Sequence, residues 1–165
     1  MRLHVSLPLE KAAHIVDEAL RLGREEGLLP LTVVVLDSGG KLVAVKSEDG
    51  SGVLRFDIAF GKAWGALGMG ISSRLIRDRL SGRPTFQNAL ATASDGRLIP
   101  VPGGVLVRDT QGVTIGAVGI SGDTSDKDEY CAIAAIASAG LGSEPAEPAP
   151  GWRDSSLSDT SPEGS

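Results

Sequence analysis

Residues 31–47 read LTVVVLDSGGKLVAVKS, and no other stretch constrains the fold as strongly. The continuous β-branched, apolar run at 31–37 is a buried strand. Ser38-Gly39-Gly40 is a turn signal, and residues 41–47 return as a second extended run, so the two pair as a β-hairpin. Residues 97–101 and 104–109 read as two short strands around a Pro102-Gly103-Gly104 corner. Asp109-Thr110-Gln111-Gly112 is another hairpin turn, and residues 113–121 (VTIGAVGIS) form the last strand. Hairpins rather than crossovers join these strands, which predicts an α+β domain on an antiparallel sheet.

Helical spacing fills the rest. Over residues 8–27 Leu9, Ala12, Ala13, Val16, Ala19, Leu20 and Gly23 mark one apolar face. Ser6 is the expected N-cap, Pro8 sits just inside, and Gly27 closes the end. Residues 53–69 are apolar almost all round, with Gly61 and Gly65 on one face where another backbone can approach. Residues 72–80 form a third helix capped by Ser72 or Ser73, and 85–95 are ambiguous, with room for one helical turn. The last helix spans 126–141. Its body, CAIAAIASAG, is nearly all small and apolar and is expected to lie tightly on the glycine-rich strand. The domain is read as residues 1–142. Residues 143–165 are rich in Pro, Ser and acids with little to bury, and are expected to form a disordered tail.

Composition narrows the function classes. The net charge is −5, with 16 basic residues scattered among 21 acids, so no basic patch exists to neutralise nucleic-acid phosphates. Aromatics, at 4%, are too few for a base-stacking surface. Cys131 is the single cysteine, so no internal disulfide forms. The opening MRLHVSLPLEKAAH lacks a continuous apolar signal region, and no run approaches the roughly 20 apolar residues of a membrane span. The expectation is a cytoplasmic protein with no membrane partner. Walker A, HExxH, CxxC and a strand-borne GxGxxG are all missing, and two histidines offer no recognisable Ser-His-Asp set.

The element order and four phrases, LTVVVLDSGGKLVAV (31–45), DIAFGKAWGA (57–66), PVPGGVLV (100–107) and TIGAVGISGDTSDKDEYCA (114–132), resemble the HbpS-like/GlcG haem-binding family, which includes the C-terminal domain of PduO-type proteins. The resemblance covers roughly residues 6–141. It implies a profilin-like fold, a five-stranded antiparallel sheet flanked by helices. It also implies homo-oligomers, often octamers, and binding of haem or a related tetrapyrrole, with haem degradation in some members. Storage, sensing and delivery are the other roles it leaves open.

A haem iron takes an axial ligand from His, Cys, Met or Tyr. The chain offers His4, His14, Met69, Tyr130 and Cys131. The resemblance favours His14, because some members ligate haem from this helix. The helical wheel sets His14 opposite the apolar stripe, so it is either a solvated surface histidine or a ligand covered by a second subunit. His4 lies in a frayed terminus. Met69 reads as core, and Cys131 as a buried small hydrophobe or, at a helix N-terminus, a reactive thiol. Arg55 and Lys62, seven apart, share a helix face and suit haem propionates. The competing reading is a buried ion pair of Lys62 with Asp37 or Asp57. Asp123, Asp126, Asp128 and Glu129 suit a helix cap, a cation site or a pocket-rim base.

Three functions follow. The first is an oligomeric haem-binding protein with His14 on the iron and Arg55 and Lys62 on the propionates. The second is a small-metabolite enzyme with a pocket between the second helix and the sheet, using Lys62, Asp37 and Asp128 as catalytic groups. The third is a non-catalytic interaction module tethered by its acidic tail.

Overall fold

A computed structural model of the protein describes residues 1–157. In chain order the elements are α1 (Leu9–Glu25), β1 (Thr32–Asp37), β2 (Leu42–Ser47), α2 (Arg55–Met69), α3 (Ser73–Leu80), α4 (Pro84–Ala93), β3 (Gly104–Arg108), β4 (Thr114–Ser121), α5 (Ser125–Ser138), β5 (Gly142–Glu144) and a 3-10 turn at Trp152–Asp154. The strands form one open sheet in the order β2-β1-β4-β3-β5, and every neighbouring pair is antiparallel. The fold is therefore α+β, a five-stranded antiparallel sheet flanked by helices, as the hairpin pattern requires. No helix among the described residues is long and apolar enough to cross a membrane.

Side-chain alternation divides the sheet into two faces. Val33, Val35, Val105, Val107, Val118 and Ile120 pack against α1 and α5. Val34, Leu36, Leu106 and Ala117 pack against α2. Both faces of β1 are thus covered, which is why its sequence is a continuous apolar run rather than an alternating one.

Several details differ from the sequence-based expectation. Residues 97–101 form no strand, because Pro100 and Pro102 lack the N–H a ladder needs. This loop instead clamps onto α2. Ile99 N–H donates to the Gly61 carbonyl at 3.3 Å, and a Cβ on Gly61 would come within 2.2 Å of the Arg97 carbonyl. The fifth strand is β5, which continues the sheet beyond β3. Residues 143–157, expected to be a disordered tail, lie against the domain, and the part of that expectation covering 158–165 falls outside the described residues. The ambiguous stretch becomes α4, a helix with no buried residue. Ser6 accepts from the Ser38 N–H rather than capping α1, whose N-cap is Pro8. Met69 is exposed, not core.

The tight helix on the glycine-rich strand is α2, not α5. Gly119 faces α2, where a Cβ would meet the Ala59 carbonyl oxygen at 1.9 Å. Helix α5 meets the opposite face through the Val118 and Ile120 side chains.

Candidate functional site

Lys62 projects from the buried face of α2 past the start of β3 and reaches the first turn of α5. Its Nζ donates to the Ile120 carbonyl at 2.8 Å and to Asp128 Oδ2 at 3.0 Å. Asp128 Oδ1 accepts the Asp123 N–H at 3.1 Å. Both side chains are about 98–99% buried, with Lys62 at 2% and Asp128 at 1% exposure. Burial pushes the Asp128 carboxyl up, and the Lys62 ammonium beside it pulls the other way. The expected ion pair of Lys62 therefore exists, but its partner is Asp128 rather than Asp37 or Asp57. Gly103 makes the passage possible. At φ 114° it adopts a backbone that side chains rarely take, and a Cβ there would lie 2.9 Å from Lys62 Nζ.

Arg55 shares this face of α2, as its spacing from Lys62 requires, and donates to the Ser121 hydroxyl at 3.1 Å. Asp37 does not join the group. It ends β1 and accepts the Gly39 and Lys41 N–H groups at 2.9 and 3.0 Å, closing the hairpin turn. Thr32, at the other end of β1, is the residue paired with Ser121. Five residues of strand thus put Asp37 about 17 Å from the Lys62 end of the sheet. The proposed catalytic trio of Lys62, Asp37 and Asp128 is not assembled.

His14 stands on the exposed outer face of α1, beside the C-terminal end of α5. Its Nε2 lies 2.9 Å from Ser138 Oγ. Ser138 Oγ also donates to the Ala135 carbonyl at 2.7 Å, so the hydroxyl ties His14 to the last turn of α5. Glu10, Lys11, His14, Ser138 and Ala139 line a shallow hollow of about 180 Å³. Ten residues separate Asp128 from Ser138, about 15 Å along α5. One protomer therefore keeps His14 apart from Lys62 and Arg55. His4 lies in the exposed N-terminal segment, lining a groove that also includes Asp37 and Lys41.

Across residues 7–137 the chain matches the family described as "Haem degrading protein HbpS-like". It belongs to the HbpS-like family. No curated protein sequence matches it. Among solved structures, a PduOC–haem complex is similar with a TM-score of 0.76 and 23% identity, over 85% of this chain and 99% of that one. A double mutant of Streptomyces reticuli HbpS is similar with a TM-score of 0.71 and 24% identity, over 84% and 90% of the two chains. The ORFY protein of Klebsiella pneumoniae gives 0.74 and 23%, over 85% and 94%. Identities this low establish a shared fold.

In this HbpS-like chain the separate sequence phrases turn out to be parts of one contact. Lys62 comes from the second phrase, Gly103 and Gly104 from the third, and Ile120 and Asp128 from the fourth. A Cβ on Gly104 would lie 2.2 Å from the Lys62 carbonyl, so the paired glycines let β3 start against α2. Cys131, one turn beyond Asp128, is buried, and burial pushes its thiol up to about 12. That excludes the reactive-thiol reading. Cys131 is expected to resist a thiol reagent at pH 8 until the HbpS-like domain is unfolded, and rapid native-state labelling in a thiol-counting assay would refute this. The residues sequence reasoning missed are Lys11 and Ser138 beside His14, and Arg74 beneath the C-terminal segment. None of these carried a motif. Lys11 had a spacing signal, lying one helical turn before His14.

Proposed function

We propose that the chain binds haem or a related tetrapyrrole between two copies of itself, with His14 as axial ligand. The observation that carries this is an exposed imidazole on the outer face of α1 in a chain whose family is described as haem degrading. The similar PduOC structure is a haem complex. The imidazole suits the group: it is exposed, and the Ser138 hydroxyl is its hydrogen-bond partner among the described residues, on Nε2. A bound haem would supply an iron for redox or oxygen chemistry. The hollow at His14 is polar and small beside the 300–1,000 Å³ of an ordinary ligand pocket. A second copy packed against α1 would enclose the hollow, which is the arrangement the reading requires.

Lys62 does not suit a propionate, because its ammonium is buried and already bonded to Asp128 and Ile120. Arg55 lies with it at the far end of α5. Lys11 shares the hollow with His14 and donates to the Ala139 carbonyl at 2.8 Å, but it is exposed and in no ion pair among the described residues, so it is the better-placed cation for a propionate. Storage, sensing, delivery and degradation all begin with this binding step.

Titration of the purified protein with haemin tests the reading. The wild type is expected to give a saturable, stoichiometric Soret shift, and His14→Ala to lose it. An unchanged Soret titration in His14→Ala removes the ligand assignment, and no shift in the wild type removes the function.

A further inference from the structure

Residues 142–157 lie beyond the residues that carry the family match, yet they fold back over the domain. Glu144 accepts from both the N–H and the hydroxyl of Ser72 at the start of α3. The chain then crosses α3 and the first half of α5. Arg74 Nη2 donates to the Glu147 carbonyl at 2.8 Å. Trp152 stacks on Tyr130 with ring centroids 3.7 Å apart and planes 9° from parallel. Arg153 pairs with Glu26 at 2.7 Å, and Ser155 shares a 2.6 Å hydrogen bond with Thr124. None of residues 142–157 is itself buried. A strap tied by exposed and half-buried polar contacts and one ring stack, with none of its own residues buried, sits toward the low end of local stability, where segments open without global unfolding.

Beneath it lies Glu129. Its side chain is 0% exposed, and neither carboxylate oxygen makes a hydrogen bond among the described residues. The nearest charge is Arg74 Nε at 3.4 Å, on the same guanidinium that holds the strap at Glu147. The other groups acting on Glu129 are Arg77 from α3, Asp126 from α5 and the Ala149 amide from the strap. Arg74 and the Ala149 amide favour the ionised carboxylate, but full burial without a well-formed hydrogen bond costs it more than they return, and it costs the neutral carboxyl far less. Opening the strap returns it to water and removes that cost.

We infer that residues 145–157 form a latch set by the charge on Glu129, closed while the carboxyl holds its proton and released when it ionises. Burial outweighs Arg74, Arg77 and the Ala149 amide, and with Asp126 it pushes the carboxyl up to about 7 in the closed state, from an ordinary value of 4.5. The closed latch therefore holds the proton more tightly than the open one. Closure is fully favoured below pH 4.5 and loses ground as pH rises through 7. One proton's linkage moves the closed-to-open ratio toward the open form as pH rises across that window. The inference does not depend on haem.

Trp152 reports the latch in the full chain with Trp64→Phe, which removes the second tryptophan. Acrylamide quenching of Trp152 is expected to rise severalfold between pH 5 and pH 8. Glu129→Gln, a neutral side chain of the same shape, is expected to hold quenching low throughout. Asp126→Asn removes a neighbouring negative charge, lowers the closed-state value of Glu129 and is expected to shrink the rise. A flat profile in the Glu129-containing protein, or an equal rise in Glu129→Gln, overturns the latch.

Discussion

Replacing Lys62 by methionine destabilises the fold by about 3–5 kcal/mol in urea unfolding, the cost of leaving one member of a buried ion pair alone. Methionine keeps most of the unbranched apolar stem, so the loss is not chiefly a cavity. Asp128 loses the ammonium 3.0 Å away and, at 1% exposure, is left with the Asp123 N–H as its donor among the described residues. The Ile120 carbonyl loses the same donor. The double variant Lys62→Met/Asp128→Leu recovers most of the stability, because a buried ion pair replaced as a unit by apolar groups is often close to neutral. Wild-type stability in Asp128→Leu alone, which leaves the buried Lys62 ammonium without its carboxylate, would contradict the account.

The pH dependence has a definite sign. Without Lys62, burial acts unopposed by that ammonium and raises the Asp128 carboxyl further. A carboxyl raised in the folded state contributes stability that is fully present below its unfolded value of about 4. That contribution is lost as pH rises through the folded value. Lys62→Met is therefore expected to lie closest to wild type at acid pH and furthest from it at pH 8. A stability gap that does not change between pH 4 and pH 8 would show that Asp128 is not the group left uncompensated.

Gly119→Ala is expected to cost about 3 kcal/mol, the upper part of the overpacking range, and to lower Tm by roughly 10 °C. The new Cβ would sit 1.9 Å from the Ala59 carbonyl oxygen and 3.0 Å from the Ala63 Cβ. The first neighbour is helix backbone, so no rotamer change relieves the clash, and α2 must lift away from the sheet. Gly68→Ala, in the same helix, is the control. Nothing lies within 4 Å of its Cβ, so it is expected to gain about 0.5–1 kcal/mol from helix propensity. Calorimetric melts of the two variants should move in opposite directions. A Gly119→Ala melt within a degree of wild type would mean that α2 does not press on β4 as described.

Local chemistry made much of this protein legible. The 31–47 hairpin, with its turn held by Asp37, followed from the residue types alone, and so did the spans of α1, α2 and α3 to within a few residues. Phrases that looked separate in the sequence, around Lys62, Gly103-Gly104 and Asp128, were read correctly as a set but not as one contact. Periodicity reports which face of an element is apolar and says nothing about which element covers it. Hence periodicity puts α5 on the glycine-rich strand, where it does pack, but does not reveal that the glycines themselves face α2, nor that Lys62 pairs with Asp128 rather than Asp37 or Asp57. The segment after residue 142 failed for a related reason. Its composition has little to bury, and its order comes from single contacts supplied by α1, α3 and α5.

The sequence alone determined helices α1 to α3, the β1–β2 and β3–β4 hairpins and the exposed position of His14, because each depends on neighbours within a few residues. Only the tertiary structure decided that Lys62 is spent on Asp128, that His14 stands about 15 Å along α5 from that pair, and that Glu129 is sealed beneath the C-terminal strap. These are contacts between residues from 20 to 124 positions apart, and their energies depend on burial, a property that exists only once the chain has closed on itself.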